Sequence, residues 1–305
     1  MFATRDAYGE TIHKLGQINK DIVVLDADLS GSVKHTKFIE EFPDRSFNIG
    51  IAEKDMIGTA AGLSITGKIP FAATFAVFTT GEGYNTIRQS VCYSNSNVKL
   101  VGAHAGILTG EDGATHQALE DISLMRGLPN MEVFSPSDYF ETTEIVKYLA
   151  ASGKPGYLRL GRAKVPNLHG DNYSFQVGKA TLLKDGNDLI ILSHGATTHH
   201  SLEAARVLEN EGISVAVISS PSIKPFDKEI LLKFAEKTGK VITVEDHSVD
   251  GGIGSIVAEI LSENLPTPLL RIGMHGFGES GTPSDLYKKY KLDAEGIVEQ
   301  IKNFL

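Results

Sequence analysis

One cysteine, Cys92, is present among the 305 residues, which excludes an intramolecular disulfide and any cysteine-rich zinc or iron–sulfur site. Beside Tyr93, its thiol reads as a small semi-buried group rather than a nucleophile. Nowhere does the sequence reach about 18 consecutive apolar residues, and the start "MFATRDAYGE" has no apolar core of signal-peptide length. The expectation is a cytoplasmic protein with no membrane partner. Basic residues are also in short supply: 29 lysines and arginines face 38 acids, a formal net charge of -9. That sign argues against nucleic acid or an anionic lipid surface, while leaving local arginines free to take a phosphorylated substrate.

Nucleotide motifs are missing too. No P-loop occurs, and no H-E-x-x-H. "GFGESG" (Gly276 to Gly281) fits G-x-G-x-x-G and follows a strand-like run. A dinucleotide site also needs a following strand with an acidic residue about 20 positions on. Here two helical stretches follow instead, and Thr282-Pro283 reads as a helix cap with a first-turn proline.

What is present is alternation. "DIVVLDADL" (21–29), "KIPFAATF" (68–75), "NVKLVGAH" (97–104), "MEVFSP" (131–136) and "PGYLRLG" (155–161) read as buried strands. Residues 5–17, 54–66, 81–93 and 138–152 read as the intervening helices. Near-continuous apolar strands separated by helices predict a mainly parallel sheet covered on both faces. Residues 166–187 are polar and turn-rich, with one weak hairpin, and read as a linker. Beyond it the alternation restarts. The fold class is therefore α/β, with two doubly wound domains over 1–165 and 188–305.

Two stretches carry chemistry. "FNIGIAEKDMIGTAAGLSITG" (47–67) sets Glu53 between an apolar run and a helix of small residues. "VGAHAGILTGEDGATHQALED" (101–121) closes a strand with His104 and then opens a glycine-rich loop holding Glu111, Asp112, Thr115 and His116. In an open parallel sheet, ligands bind beyond the carboxyl ends of the strands. Taken singly, Glu53 also suits a helix N-terminus, and the loop residues also suit a solvated surface loop.

Taken together, "FNIGIAEKDM", "ATFAVF", "GEDGATHQ" and "GLPNMEVFSPSD" resemble the pyrimidine-binding and C-terminal domains of transketolase. "LDADLSGS" and "PGYLRLGR" resemble that family's Asp-Leu loop and arginine-ended strand, in the family's order. The resemblance implies thiamine diphosphate as cofactor, with Glu53 bonded to its aminopyrimidine ring and exchanging a proton there. Burial favours the protonated carboxyl, which suits such a donor. Phe75 and Phe78 match the aromatic pair at the pyrimidine, Phe78 being the better stacking candidate, and Leu29 lines the same pocket. Arg5, Ser32, His104 and Arg162 match positions that hold the sugar phosphate, for which the planar arginine fork is suited. Arg159 is expected on the same strand face as Arg162. Asp112 matches the acid that reads a substrate hydroxyl, and His116 the histidine near the donor's reacting carbonyl.

The family's metal-binding Gly-Asp-Gly is not found. The resemblance is therefore to the C-terminal half of a split transketolase of the pentose phosphate pathway. Magnesium or calcium and the diphosphate are then held by an N-terminal partner subunit, in a heterotetramer that also self-associates. No metal ligand is expected in this chain. The second domain is read as an assembly domain, with Glu245 and His247 at a loop able to contact a partner. Three alternatives stand at this point: a 1-deoxy-D-xylulose-5-phosphate synthase-like chain, a 2-oxo acid dehydrogenase beta-like subunit, and a non-catalytic regulatory partner.

Overall fold

A computed structural model describes residues 1–305. The first part runs β1 (Phe2–Ala3), α1 (Thr4–Ile18), β2 (Ile22–Asp26), α2 (Thr36–Glu41), β3 (Ser46–Asn48), α3 (Glu53–Ile65), β4 (Ile69–Phe75) and α4 (Ala76–Gly81). A single turn, α5 (Tyr84–Thr86), leads into a π-helical stretch over Ile87–Tyr93. Then come β5 (Lys99–Ala103), α6 (Asp121–Arg126), β6 (Glu132–Phe134), α7 (Tyr139–Ser152), β7 (Gly156–Arg159) and β8 (Lys164–Val165). The second part runs β9 (Thr181–Lys184), β10 (Leu189–Ser193), α8 (Thr197–Asn210), β11 (Val215–Ser219), β12 (Ser222–Lys224) and α9 (Lys228–Thr238). It finishes with β13 (Val241–Ser248), α10 (Ile253–Asn264), β14 (Leu269–Met274), α11 (Pro283–Lys289) and α12 (Ala294–Phe304). No helix is long and apolar enough to cross a membrane.

Alternate residues of the buried strands face opposite sides, as a two-sided sheet requires. Val23 and Leu25 of β2 pack with Met56, Ile57 and Ala60 of α3. Ile22 and Val24 pack with Tyr8 and Ile12 of α1 and Ile145 and Val146 of α7. The resulting sheet has seven strands in the order β12-β6-β7-β5-β4-β2-β3, parallel except for β12. A second sheet of five strands has the order β14-β13-β10-β11-β9, parallel except for β9, with helices on both faces.

The edges depart from the sequence reading. No hairpin forms within 162–187: β8 pairs antiparallel with β1, and β9 joins the second sheet beside β11. The segment read as linker thus contributes an edge strand. More unexpectedly, β12 leaves the second sheet and pairs with β6 of the first, so each sheet's surroundings draw on both parts of the chain. Helix 81–93 is broken into the end of α4, α5 and the π-helical stretch. Cys92 lies buried there, and burial pushes its thiol up to about 11.

Glu245 and His247 are not surface groups. Both are buried: Glu245 accepts the backbone N–H groups of Ile253 and Gly254 at the start of α10, and His247 Nδ1 meets the Ser248 carbonyl at 2.7 Å. An acid serving a helix N-terminus in this way satisfies donors the helix itself cannot. Thr282 caps α11 with Pro283 in its first turn, as the sequence reads.

Candidate active site

Five adjacent strands of the larger sheet, β7-β5-β4-β2-β3, are mutually parallel, so their carboxyl ends share one edge. Beyond β2 lie Leu29 and Ser32, beyond β3 Glu53, at the end of β4 and just after it Phe75 and Phe78, beyond β5 His104, and beyond β7 Arg162. Chain order scatters these residues over some 130 positions, and the topology returns them to one rim.

There, four aromatic rings meet. Phe75 stacks on Phe78 with centroids 6.0 Å apart and planes 13° from parallel. The His104 ring lies 4.0 Å from Phe75, and His116 presents an edge to both phenylalanines at 6.0 and 5.4 Å. Phe75 and His104 are buried, whereas Phe78 and His116 are half-exposed. His104 sits in the left-handed region at φ 56°, and its carbonyl accepts the Thr109 hydroxyl at 2.5 Å.

Cations close one side. Arg5, in the first turn of α1, donates to the Ser32 carbonyl at 3.2 Å and approaches His104 Nε2 at 3.1 Å. Its Nε is buried with no partner. Burial first, then the charges of Arg5, Arg162, His116 and Lys34, push His104 down to about 3. Arg162 donates to the Thr109 carbonyl at 2.6 Å and pairs with Glu111 and Asp112 at 3.4 and 3.5 Å. Asp112, expected to read a hydroxyl, is thus an ion-pair partner of an expected phosphate ligand.

Glu53 opens α3 and is 9% exposed, and its carboxylate forms no hydrogen bond or ion pair with the rest of the chain. The preceding Ala52 offers no side-chain cap, so the helix start is left open to an acidic group. Leu29 packs against the α1 side of the core, its N–H held by Asp26 at 3.2 Å.

Arg159 does not share a face with Arg162. The two lie three positions apart, which strand alternation places on opposite faces, and β7 itself ends at Arg159. Arg159 turns inward instead, donating through Nε to Asp121 at 2.9 Å and through Nη2 to the Asp246 carbonyl at 2.7 Å. Sequence reasoning missed Thr109 and Lys34. Thr109 is an apolar-flanked threonine with no local mark of its role, and Lys34 pairs with Asp6 at 3.0 Å from a left-handed backbone at φ 67°.

Residues 1–167 match the transketolase pyrimidine-binding domain, and residues 178–297 match the transketolase C-terminal domain. The chain belongs to the transketolase family. A protein of Methanocaldococcus jannaschii provisionally named a transketolase C-terminal section is 45% identical over 97% of this chain and 94% of its own length. A 6-deoxy-6-sulfo-D-fructose transketolase subunit of a Clostridium species is 40% identical over 96% of this chain and 92% of its own. Among solved structures, a split-gene transketolase described as an inactive β4 tetramer superposes with a TM-score of 0.93 at 48% identity, over 100% and 99% of the two chains. Against human transketolase the chain spans 49% of the length at 34% identity.

A transketolase pyrimidine-binding domain implies the thiamine diphosphate family, and the residues present fit that group. Glu53, a largely buried residue, offers an accessible carboxylate with no partner in the chain, and Phe78 offers a half-exposed aromatic face backed by Phe75. A heteroaromatic ring carrying nitrogen donors and acceptors suits that pairing of charge and π-surface.

Proposed function

We propose that this chain is the C-terminal subunit of a split transketolase, moving a two-carbon ketol unit from a ketose phosphate to an aldose phosphate in the pentose phosphate pathway. It acts with an N-terminal subunit that holds the diphosphate and a magnesium or calcium ion, in a heterotetramer. Thiamine diphosphate supplies the carbanion chemistry when bound. Glu53, Phe75, Phe78 and Leu29 hold its pyrimidine end.

The remaining work belongs to this chain's own side chains. Glu53 holds and releases a proton at its carboxyl oxygen, the general acid–base role that a positioned carboxyl fills. Arg5, Arg162, His104 and Ser32 hold the sugar's phosphate, with the two guanidinium groups giving charge-assisted two-point contacts. His104 enters this set neutral, as a hydrogen-bonding group and not as a cation. His116 orients the donor's carbonyl end beside the phenylalanines, and Asp112 takes a sugar hydroxyl.

The observation that carries this reading is the convergence of Arg5, His104, Arg162 and His116 on the Phe75–Phe78 pair at one sheet edge. A sulfonate in place of the phosphate is a second reading. It is supported by the relative named for 6-deoxy-6-sulfo-D-fructose, and the same arginines would pair with it.

The test is reconstitution with the N-terminal subunit from the same host, with thiamine diphosphate and magnesium, assaying transfer from xylulose 5-phosphate to ribose 5-phosphate. The expected result is activity in the complex, none in the isolated chain, and none in a complex carrying Glu53→Gln. Wild-type activity in the Glu53→Gln complex would sink the mechanism, and an inactive wild-type complex would sink the assignment.

A further inference from the structure

The loop that carries His104, Asp112 and His116 does not determine its own path. Within ten positions His104, Gly106, Gly110 and Gly113 all lie in the left-handed region, at φ 56°, 79°, 82° and 76°. Past a bridge at its base, where Gly106 donates to the Ala118 carbonyl at 3.0 Å, its internal backbone bonds are short-range turns, such as Gly113 to the Gly110 carbonyl and His116 to the Gly113 carbonyl. Beyond that base, such a route needs support from outside.

Besides Leu160 and Arg162 of the first domain, which bond Ala105 and Thr109, the C-terminal domain supplies that support. A methyl group at Gly106 would overlap the Asp246 carboxylate, one at Gly110 would touch Pro283, and one at Gly113 would overlap the Ser280 hydroxyl. From the other side, Gly278 leaves room for the Gln117 amide. Each loop glycine therefore marks a point where the second domain presses close. Between these points Ile107 and Leu108 are buried in the second domain's core with Leu189, Ile191 and Val244. Asp246 Oδ1 accepts the Ile107 N–H at 2.8 Å, and the Tyr287 hydroxyl donates to Asp246 Oδ2 at 3.2 Å. The Gln117 amide donates to the Glu279 carbonyl at 3.0 Å, which ties the "GFGESG" stretch to the same loop.

We propose that Asp246, steadied by Tyr287, is a positioning residue of the substrate site, and that the C-terminal domain sets where His104, Asp112 and His116 lie. This rests on the reading above that those three residues face the sugar. Asp246 does not touch the substrate. It fixes the start of the loop, while the Gln117–Glu279 contact fixes its end. A displacement of about 1 Å at reacting groups costs on the order of 100-fold in rate, so a loop loosened at either end is a poor catalyst.

The experiment uses the reconstituted complex with three variants. Asp246→Ala removes the acceptor for Ile107, Asp246→Asn keeps an oxygen there, and Gly278→Ala pushes on Gln117 from the far end. In Asp246→Ala, kcat is expected to fall about 100-fold. Amide exchange over 105–117 should quicken about tenfold, as loss of one buried hydrogen bond implies. Saturation by thiamine diphosphate should stay unchanged, because Glu53 and Phe78 sit on other elements. Asp246→Asn should recover most of both losses. Gly278→Ala should show the same pattern to a smaller degree, and serves if Asp246→Ala does not fold. Loop exchange and kcat within twofold of wild type in both Asp246→Ala and Gly278→Ala would overturn the proposal. So would equal loss of cofactor binding, which marks a merely structural role. If the wild-type complex transfers no ketol unit, the functional reading fails, while the exchange data still decide whether Asp246 seats the loop.

Discussion

Arg5 and His104 meet nitrogen to nitrogen, Nη1 of one 3.1 Å from Nε2 of the other. A guanidinium has only donors, so the imidazole accepts at Nε2 and carries its proton at Nδ1. That is the neutral ring, and the neighbouring charges keep it so.

The first prediction follows from that contact. His104 is held at about 3, against an ordinary value of 6.5, by burial and then by Arg5 and Arg162. Between pH 6.5 and about 3 the unfolded chain binds a proton at this residue that the folded chain does not. Its contribution to stability is therefore flat above pH 6.5 and declines as the pH falls through that window. In an NMR titration the His104 ring signals should stay constant down to pH 5. His104→Asn should flatten the acid limb of the stability curve relative to wild type. A mid-range titration near pH 6 would contradict the assignment.

Two arginines near one strand end should fail in opposite ways. Arg162 is half-exposed and bonded to a loop carbonyl and two surface acids. Arg162→Ala should raise KM for the sugar phosphate about 10- to 100-fold with stability nearly unchanged, as charge-assisted bonds of this kind are worth. Arg159 is 6% exposed and pairs with the fully buried Asp121. Arg159→Met should cost about 3–5 kcal/mol of stability, because it leaves that carboxylate buried without a partner. Steady-state kinetics and denaturant unfolding on the two variants would separate the roles, and a swapped outcome would refute them.

The phenylalanine pair divides similarly. Phe75 is buried between Phe78 and His104, so Phe75→Ala should lose about 3–5 kcal/mol of stability. Phe78 is half-exposed, so Phe78→Ala should leave the melting temperature close to wild type. Its effect should fall on the complex, as thiamine diphosphate binding weakened about tenfold by lost stacking and burial. Calorimetric titration of the complex with cofactor checks this, and unchanged binding would remove Phe78 from the site.

The sheet interior was open to reading from the chain because its signal is local. Runs such as "IVVL" and "FAAT" are apolar over a strand's length and buried on both faces, and helices between strands carry caps such as Asp138 and Asp227. The edge strands carry no such signal. β3 is the three residues "SFN", and β12 is "SIK", whose partner β6 lies some 90 positions earlier. The site was open to reading through family resemblance rather than local pattern. Nothing near Arg5 announces His104, 99 positions away, and it is strand order that brings the two together. Arg159 was misplaced because residues three apart on a strand point to opposite faces, and β7 in any case stops at Arg159.

Strand β12 also bears on how such a chain can change over time. Because Ser222–Lys224 lies on the edge of the first sheet, a crossover that swapped in a foreign C-terminal domain would replace one strand of the pyrimidine-binding half. Deleting that domain would strip β6 of its neighbour and leave open backbone N–H and C=O groups, a template for joining other chains. The same deletion would bare Ile107 and Leu108, which have no other core to enter. A junction between the two halves of this subunit should therefore cost stability, and hybrids that carry their junctions outside it should fold better.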